Sequence, residues 1–342
     1  MFVLAGAVLA AQETPAPHDM GQMNKGADHG GFMQEGMHHA VAKGITLNED
    51  VDAAGHVVTL REGPMTLPAH TSHMKMPQPP DEIWVVPFDG WLLAYHPQLV
   101  DAAGNAVPGR VLHHTAFWNV DRSDFLCPNK EEHIFGAGSE MTDWGQVPGF
   151  GYRVQKGDRI RVETMVYNPT DISYDRVYLE VRISYQPASA AEIRDVYPAW
   201  MDVQSCRDSS YDLPAGESVR SGSVAVNYSG VLIGVGGHLH DYGRQLVLQD
   251  VTKNETVATL DARVDASGLL LGLPVVMFTD RGGYRLNRGD QLEITAKYDN
   301  VSGKDLRWGA MGIVVGYFVP DDEASMTPLR RPKKLEAKGS SE

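Results

Sequence analysis

The chain has 342 residues, of which 42% are hydrophobic and 22% charged, a composition typical of a folded protein with one large core or two ordinary ones. Its formal net charge of −14 argues against nucleic-acid binding, because that requires a basic surface which displaces counterions from phosphates. No segment reaches the length of about eighteen apolar residues that a membrane span needs, so no transmembrane segment is predicted.

The N-terminal residues 1–11, MFVLAGAVLAA, form a short apolar run that ends in small residues. This pattern is typical of the end of a secretory signal peptide, although no basic region precedes it. We therefore predict a signal remnant at 1–11 and a periplasmic or secreted protein. In an oxidising compartment Cys127 and Cys206 can form a disulfide, and two separate buried thiols are the alternative.

Residues 12–45 lack a periodic apolar pattern and are predicted to form a disordered arm. The arm is rich in methionine and histidine: it contains His18, Met20, Met23, His29, Met33, Met37, His38 and His39. Thioethers favour Cu(I), and imidazoles bind copper in either oxidation state, so this composition favours copper capture. A low-complexity linker that carries these residues by accident is the alternative.

From residue 46 the sequence consists of short alternating runs separated by turn signals such as QKGD and LNRGD, which predicts an all-β chain. GYRVQKGDRIRVETMVYNPT, from Gly151, is echoed by GYRLNRGDQLEITAKYDNVS, from Gly283, and a histidine pair precedes each copy. We therefore predict two tandem antiparallel β-sandwich domains, jelly-roll-like, followed by a flexible tail. The predicted bounds are 46–187 for the first domain, 188–322 for the second and 323–342 for the tail.

The second histidine pair, His238 and His240, lies in the stretch GVGGHLHDYGRQL. On a strand, side chains two residues apart point the same way, so both imidazoles can reach one metal ion. A cupin-type iron site would have a carboxylate about four residues on, where this chain has Arg244. Two polar residues at a loop edge are the alternative. The first pair, His113 and His114, is adjacent and can share a metal only at a bulge or bend.

These motifs, taken in order, resemble the copper type II, ascorbate-dependent monooxygenases, the family of peptidylglycine α-hydroxylating monooxygenase and dopamine β-monooxygenase. The resemblance covers about residues 70–320 and rests on SHMKMPQP (72–79), VLHHTAFWN (111–119), VPGFGYRV (147–154), GGHLHDYGRQL (236–246) and MGIVVGYF (311–318). It implies two jelly-roll-like domains that face each other across a solvent-filled cleft, each carrying one copper ion.

The resemblance also implies ligands for each copper. His238, His240 and Met311 would hold the copper that binds oxygen beside the substrate, since two imidazoles and a weak thioether suit Cu(I) and leave an open position. His113 and His114 would belong to a second copper that stores and delivers an electron.

The chain departs from the family at this second site. The family completes the site with a histidine in the strand after GYRV, and the corresponding strand here, RVETMVYNPT, has Met165 at the aligned position. Either Met165 or a loop residue such as His133 substitutes, or the second copper is weak or absent.

The implied activity is that of an enzyme, a copper-dependent monooxygenase. It would hydroxylate a C–H bond of a small molecule or peptide with O2 and electrons from an external donor. The Met/His-rich arm and the missing histidine favour the alternative, a non-catalytic copper-binding protein that buffers or delivers the metal. A metal-free adhesion or carbohydrate-binding module is the third possibility.

Overall fold

The computed structural model describes residues 40–138, 144–190 and 193–330. The predicted signal remnant and the arm up to residue 39 lie outside the described residues, as does the end of the predicted tail. The described residues form twenty-three β-strands and four short 3-10 helices, so the prediction of an all-β chain is confirmed. Within these ranges no helix has the length and apolar character needed to cross a membrane.

The N-terminal half of the fold is a β-sandwich. Its strands, in chain order, are β1 (Thr46–Asp52), β2 (Val57–Leu67), β3 (Glu82–Val85), β4 (Gly90–Val100), β5 (Leu112–Ser123), β6 (Glu131–Gly138), β7 (Phe150–Val154), β8 (Arg159–Val166), β9 (Tyr174–Pro187) and β10 (Arg194–Asp195). One sheet has the order β1-β2-β9-β4-β7-β10 and the other the order β3-β8-β5-β6. From β2 to β9 this is the strand order of a jelly roll, which we call the first sandwich.

A second sandwich follows. Its strands are β11 (Tyr197–Asp202), β12 (Tyr211–Leu213), β13 (Gly216–Ala225), β14 (Gly230–Leu239), β15 (Gly243–Asp250), β16 (Glu255–Asp261), β17 (Arg263–Val264), β18 (Leu270–Gly272), β19 (Val276–Met277), β20 (Tyr284–Leu286), β21 (Gln291–Asn300), β22 (Leu306–Ala310) and β23 (Gly312–Pro320). The sheets are β11-β23-β14-β19, with β20 also on β14, and β13-β21-β15-β16. Counting β19 and β20 as one position gives the jelly-roll order again.

Each sandwich buries its own hydrophobic core, because inward-facing apolar residues alternate with outward-facing ones along the strands. Tyr95, Phe117 and Phe135 pack in the first core, and Phe278 and Phe318 pack in the second. All described residues nevertheless belong to one compact unit. The change of sandwich falls close to the predicted boundary at 187–188, and independent domains on either side of it stay a prediction.

The sequence echo corresponds to equivalent strands. GYRV leads from β7 into β8, and GYRL leads from β20 into β21, at matching positions of the two jelly rolls. The two histidine pairs do not occupy equivalent positions, although one precedes each copy of the repeat. His113 and His114 lie in β5, whereas His238 lies in β14, which occupies the position of β4. The first pair therefore lies in the β3-β8-β5-β6 sheet, and His238 lies in a sheet that corresponds to the other sheet of the first sandwich.

Two short segments that were predicted to be flexible belong to the fold. Val41 forms a β-bridge with Gln78 although it falls within the predicted arm at 12–45. In the predicted tail at 323–342, a 3-10 helix spans Glu323–Leu329 and buries Met326 and Leu329 in the second core. Residues 323–330 are therefore structured, because two apolar side chains three positions apart on this turn face the second sandwich.

Cys127 and Cys206 form a disulfide, with Cα atoms 5.6 Å apart. Cys127 follows β5 of the first sandwich, and Cys206 follows β11 of the second. The bond therefore ties the two sandwiches together, and it decides between the alternatives of a disulfide and two separate thiols.

Candidate functional site

The β3-β8-β5-β6 sheet of the first sandwich packs against the β11-β23-β14-β19 sheet of the second. The His133 ring, on β6, stacks on Trp200, on β11, with ring centroids 3.5 Å apart and planes 5° from parallel. The Trp200 indole N–H donates a hydrogen bond of 2.6 Å to the His133 carbonyl. Trp118 stacks on His133 at 3.9 Å. This contact holds β5 of one sandwich beside β14 of the other.

Five imidazoles meet where these two sheets face each other. The ring centroid of His113 lies 4.9 Å from that of His73 and 5.0 Å from that of His114. On the other side it lies 5.5 Å from His240, which in turn is 5.3 Å from His238. The two histidine pairs, which the resemblance assigns to coppers across a solvent-filled cleft, are therefore in contact here. We call these five residues the histidine cluster.

Local strand geometry explains how the two pairs converge. The β5–β8 register shifts between Leu112 and His114, and this irregularity lets adjacent histidines share one site. Their Nδ1 atoms are 2.9 Å apart. His238 pairs with Ile313 in the regular β14–β23 ladder, and His240 follows at the end of the strand. A register irregularity is therefore present where two adjacent histidines would need one to reach the same ion, and their role as metal ligands stays a prediction.

Two of the cluster rings are held from behind by groups typical of metal-binding histidines. The His114 Nε2 atom lies 3.6 Å from Oε1 of buried Glu163, whose other oxygen accepts a hydrogen bond of 2.9 Å from Arg161. The His240 ring bonds to the backbone of Gly309, while its Nε2 atom is buried with no hydrogen-bond partner among the described atoms. A carboxylate or carbonyl behind the imidazole orients the ring and leaves the other nitrogen for a metal.

Burial keeps the central rings neutral. It lowers the pKa of His113 well below the ordinary value, and the neighbouring imidazoles of His114 and His240 lower it further. Burial likewise lowers the pKa of His240, and His238 adds to the effect. A neutral imidazole keeps a lone pair on one nitrogen, which is the form that binds a metal ion.

The histidine cluster opens into a pocket of about 250 Å³. At its rim Arg110 of the first sandwich lies 3.7 Å from the carboxylate of Asp241 of the second. Arg307 stacks its guanidinium over Trp308 at 4.1 Å. The pocket is lined by His73, His113, Tyr167, His238, Leu239, His240, Asp241, Tyr242, Leu270, Leu306, Arg307, Trp308 and Gly309.

Met311 lies beside the cluster but outside this pocket lining. Its side chain is buried in a small apolar group with Trp200, Ile313 and Val315. Because Ile313 pairs with His238, Met311 and His238 belong to the same face of the sheet. The backbone N–H of His240 donates a hydrogen bond of 2.9 Å to the Tyr298 hydroxyl, which also bonds to the backbone of Met311. A ligand role for Met311 stays a prediction.

The two suggested substitutes for a third histidine differ in placement. Met165 pairs with His114 across the β5–β8 ladder and is buried. His133, expected in a loop, lies in β6. Its ring lies between Trp118 and Trp200, and it is not among the residues that line the pocket. The stacking makes His133 a packing element between the sandwiches, so Met165 is the better placed of the two.

His73 is the cluster residue that the sequence did not identify. It lies in the 3-10 helix His73–Lys75, ahead of the strands that carry the other histidines. The stretch SHMKMPQP contributes to the resemblance, but nothing in its spacing connects this histidine to a pair some forty positions later. Only the folded chain shows the contact.

Within residues 40–138, 144–190 and 193–330, no group of three or more His, Cys, Asp or Glu side chains is arranged to hold a metal ion as it stands. The Nδ1 atoms of His113 and His114 are 2.9 Å apart and share a hydrogen bond. Two nitrogens that bind one ion at about 2.0–2.1 Å would lie roughly 3.3–3.5 Å apart.

Comparisons with known proteins do not assign a family. No protein-family model matches the chain, and no curated protein matches it. Among solved structures, the major capsid protein of mavirus matches with a TM-score of 0.22 and 9% sequence identity, over 90% of this chain and 93% of the capsid chain. A likeness at this TM-score carries no structural or functional argument.

Proposed function

We propose that the protein binds copper at the histidine cluster and is a copper-dependent monooxygenase. It hydroxylates a C–H bond of a small molecule or peptide with O2 and electrons from an external donor. The observation that supports this most is the contact between His113 and His240, at 5.5 Å, with a further imidazole beside each.

The donor set fits copper. Neutral imidazoles bind copper, zinc, iron and nickel, and the buried Nε2 of His240 is a donor without a protein partner in the described residues. The thioether of Met311, on the same sheet face as His238, favours Cu(I) over the other ions. Glu163 faces His114 rather than the pocket, and the Asp241 carboxylate in the pocket lining faces Arg110, so imidazoles are the main metal donors there.

Bound copper would supply oxygen activation and one-electron transfer. The chain itself supplies the orientation of the rings, through Glu163 behind His114 and the Gly309 backbone behind His240. Tyr167 and Trp308 form walls of the pocket. A pocket of about 250 Å³ admits a side-chain-sized group rather than a whole macromolecule.

We further propose that the protein works in the periplasm or is secreted. The disulfide between Cys127 and Cys206 supports this location, since disulfides persist in oxidising compartments and are rare in the cytosol.

A non-catalytic copper buffer is the second candidate. It is favoured by the crowding of His113, whose ring is in contact with His73, Tyr167 and His240. Such crowding leaves little room for a substrate beside this ring, whereas a storage site needs none.

Oxygen consumption by the copper-loaded protein separates the two candidates. With ascorbate and a panel of peptide and small-molecule substrates, the monooxygenase consumes oxygen above a free-copper control and yields hydroxylated product. His238→Ala abolishes this activity, and His96→Ala, at an exposed position on β4, retains it. Copper binding without substrate-dependent oxygen consumption would support the buffer. Failure to bind copper would refute both candidates.

A further inference from the structure

The ring of His73 is part of the histidine cluster although it comes from a separate segment. It approaches His113 edge to face, with centroids 4.9 Å apart and planes at 64°. It also lines the pocket together with Tyr167 and the rings of His238 and His240. His73 is half-buried and lines the same pocket as three other histidines, His113, His238 and His240. This position indicates a role in the pocket.

The turn that carries His73 is fixed by one buried amide. The Gln78 side-chain NH2 donates to the carbonyls of His73, Met76 and Val166, at 3.1, 3.0 and 3.0 Å. Its carbonyl oxygen accepts a hydrogen bond of 2.8 Å from the Val166 N–H. Gln78 is 2% exposed, and these bonds fasten the His73 turn to the end of β8.

Gln78 is bonded to Val166, next to the position on β8 where this chain lacks the histidine found in the family. Val166 is the neighbour of Met165, which stands where the resemblance expects the third histidine of the second copper site, and Met165 pairs with His114. The chain lacks a histidine on β8, but the Gln78 amide brings His73 to the end of that strand. The cluster thus regains a third imidazole from a different segment.

We propose that His73, His113 and His114 form a three-imidazole copper site and that Gln78 is its positioning residue. The proposal rests on the proposed function only in that the cluster binds copper, and it does not require catalysis. Three imidazoles suit three-coordinate Cu(I), and a methionine in place of one of them suits Cu(I) but not Cu(II).

The full chain is titrated anaerobically with Cu(I) in competition with bicinchoninic acid, which gives the copper stoichiometry and affinity. X-ray absorption at the copper edge then counts the imidazole ligands. His73→Ala is expected to lose one tightly bound copper equivalent. Any copper that still binds at His113 and His114 should have fewer imidazole ligands than in the wild type. His73→Met is expected to restore Cu(I) binding while the Cu(II) form stays weak. The matched control is His70→Asn, in the same loop, where His70 is exposed and faces Asp171 at 3.0 Å. Asparagine tolerates its positive φ of 51°.

Gln78→Glu tests the positioning role. It keeps the size and the acceptor for Val166 but replaces the NH2 that donates to three carbonyls. We expect Cu(I) to bind about 10–100-fold more weakly at this site, the range typical of residues that orient ligands, with the far-ultraviolet spectrum unchanged. Should this variant not fold, the His73 variants decide the question alone.

The outcomes separate this inference from the proposed function. Wild-type protein that binds no copper would refute the proposed function and the inference with it. Wild-type protein that binds copper, with His73→Ala equal to it in stoichiometry, affinity and imidazole count, would overturn the role of His73 alone. The proposed function would then stand on the other four histidines.

Discussion

His113 and His240 lie with their ring centroids 5.5 Å apart and their planes 87° from parallel, although they belong to different sandwiches. Neither sandwich contains the histidine cluster by itself. The stacked contact of Trp200 and His133 and the disulfide between Cys127 and Cys206 hold the two sheets together, so they also set the geometry of the cluster.

Trp200 is expected to be a main anchor between the sandwiches. Trp200→Ala removes the stacked indole and its hydrogen bond to His133, and a buried tryptophan replaced by alanine costs about 3–5 kcal/mol of unfolding free energy. Trp200→Phe keeps a stacked ring and loses mainly the hydrogen bond, a cost of roughly 1 kcal/mol. Urea unfolding followed by circular dichroism measures both. Equal, small losses would show that this contact is not an anchor.

Glu163 is expected to tune copper affinity through His114. Glu163→Gln removes the negative charge that faces the His114 Nε2 atom, so Cu(I) should bind about tenfold more weakly. Glu131→Gln is the matched control, because Glu131 contacts the same Arg161, at 2.9 Å, through a different guanidinium nitrogen from Glu163. Competition titration of both variants gives the answer. Equal affinities in the two variants would contradict a role for Glu163 behind the metal ligand.

Glu62 is expected to make stability depend on pH. Burial in the first core raises its pKa to about 8, from 4.5 in the unfolded chain. Between these values the folded protein holds a proton that the unfolded chain has released, so the unfolding free energy falls as pH rises, by up to ~5 kcal/mol. Glu62→Gln, which mimics the protonated acid, should reduce this slope; buried Asp124, whose pKa is raised to about 7 by burial, contributes to the remainder.

Urea unfolding at pH 5 and at pH 8.5 measures the effect of Glu62. The control is Glu217→Gln, which replaces an exposed carboxylate on β13 and should leave the slope as in the wild type. A Glu62→Gln variant with the same pH slope as the wild type would show that this carboxyl is not the group responsible.

The disulfide is expected to stabilise the fold by limiting the freedom of the unfolded chain. Its two cysteines are 79 positions apart, and a bridge of this span contributes about 2–4 kcal/mol. The double variant Cys127→Ala, Cys206→Ala should therefore unfold at lower urea than the oxidised wild type. Wild type measured with a strong reductant should match the variant. If neither the double substitution nor the reductant lowered the urea midpoint of unfolding, the disulfide would not stabilise the fold.

The fold was predictable because its determinants are local. Alternating strands, turn signals and the repeat around Gly151 and Gly283 predict β-sandwiches without knowledge of tertiary contacts. The exceptions depend on packing. Met326 and Leu329 belong to the second core, and two apolar residues in a polar stretch give no sequence signal for such docking.

The site was only partly predictable. His238 in β14 and His240 directly after it lie with ring centroids 5.3 Å apart, as a spacing of two residues predicts, and the register shift before His114 falls where adjacent histidines would need one. The choice of which sheets face each other is made by long-range contacts such as that of Trp200 with His133. The sequence therefore placed the two pairs in separate sites, and it did not identify His73.

Histidines of both sandwiches are proposed to form one copper-binding cluster. The most direct test is anomalous diffraction at the copper edge from crystals of the copper-loaded protein. We expect anomalous density in the pocket, within bonding distance of a His113 or His114 nitrogen on one side and of a His238 or His240 nitrogen on the other. Copper density elsewhere, with none at these histidines, would contradict it.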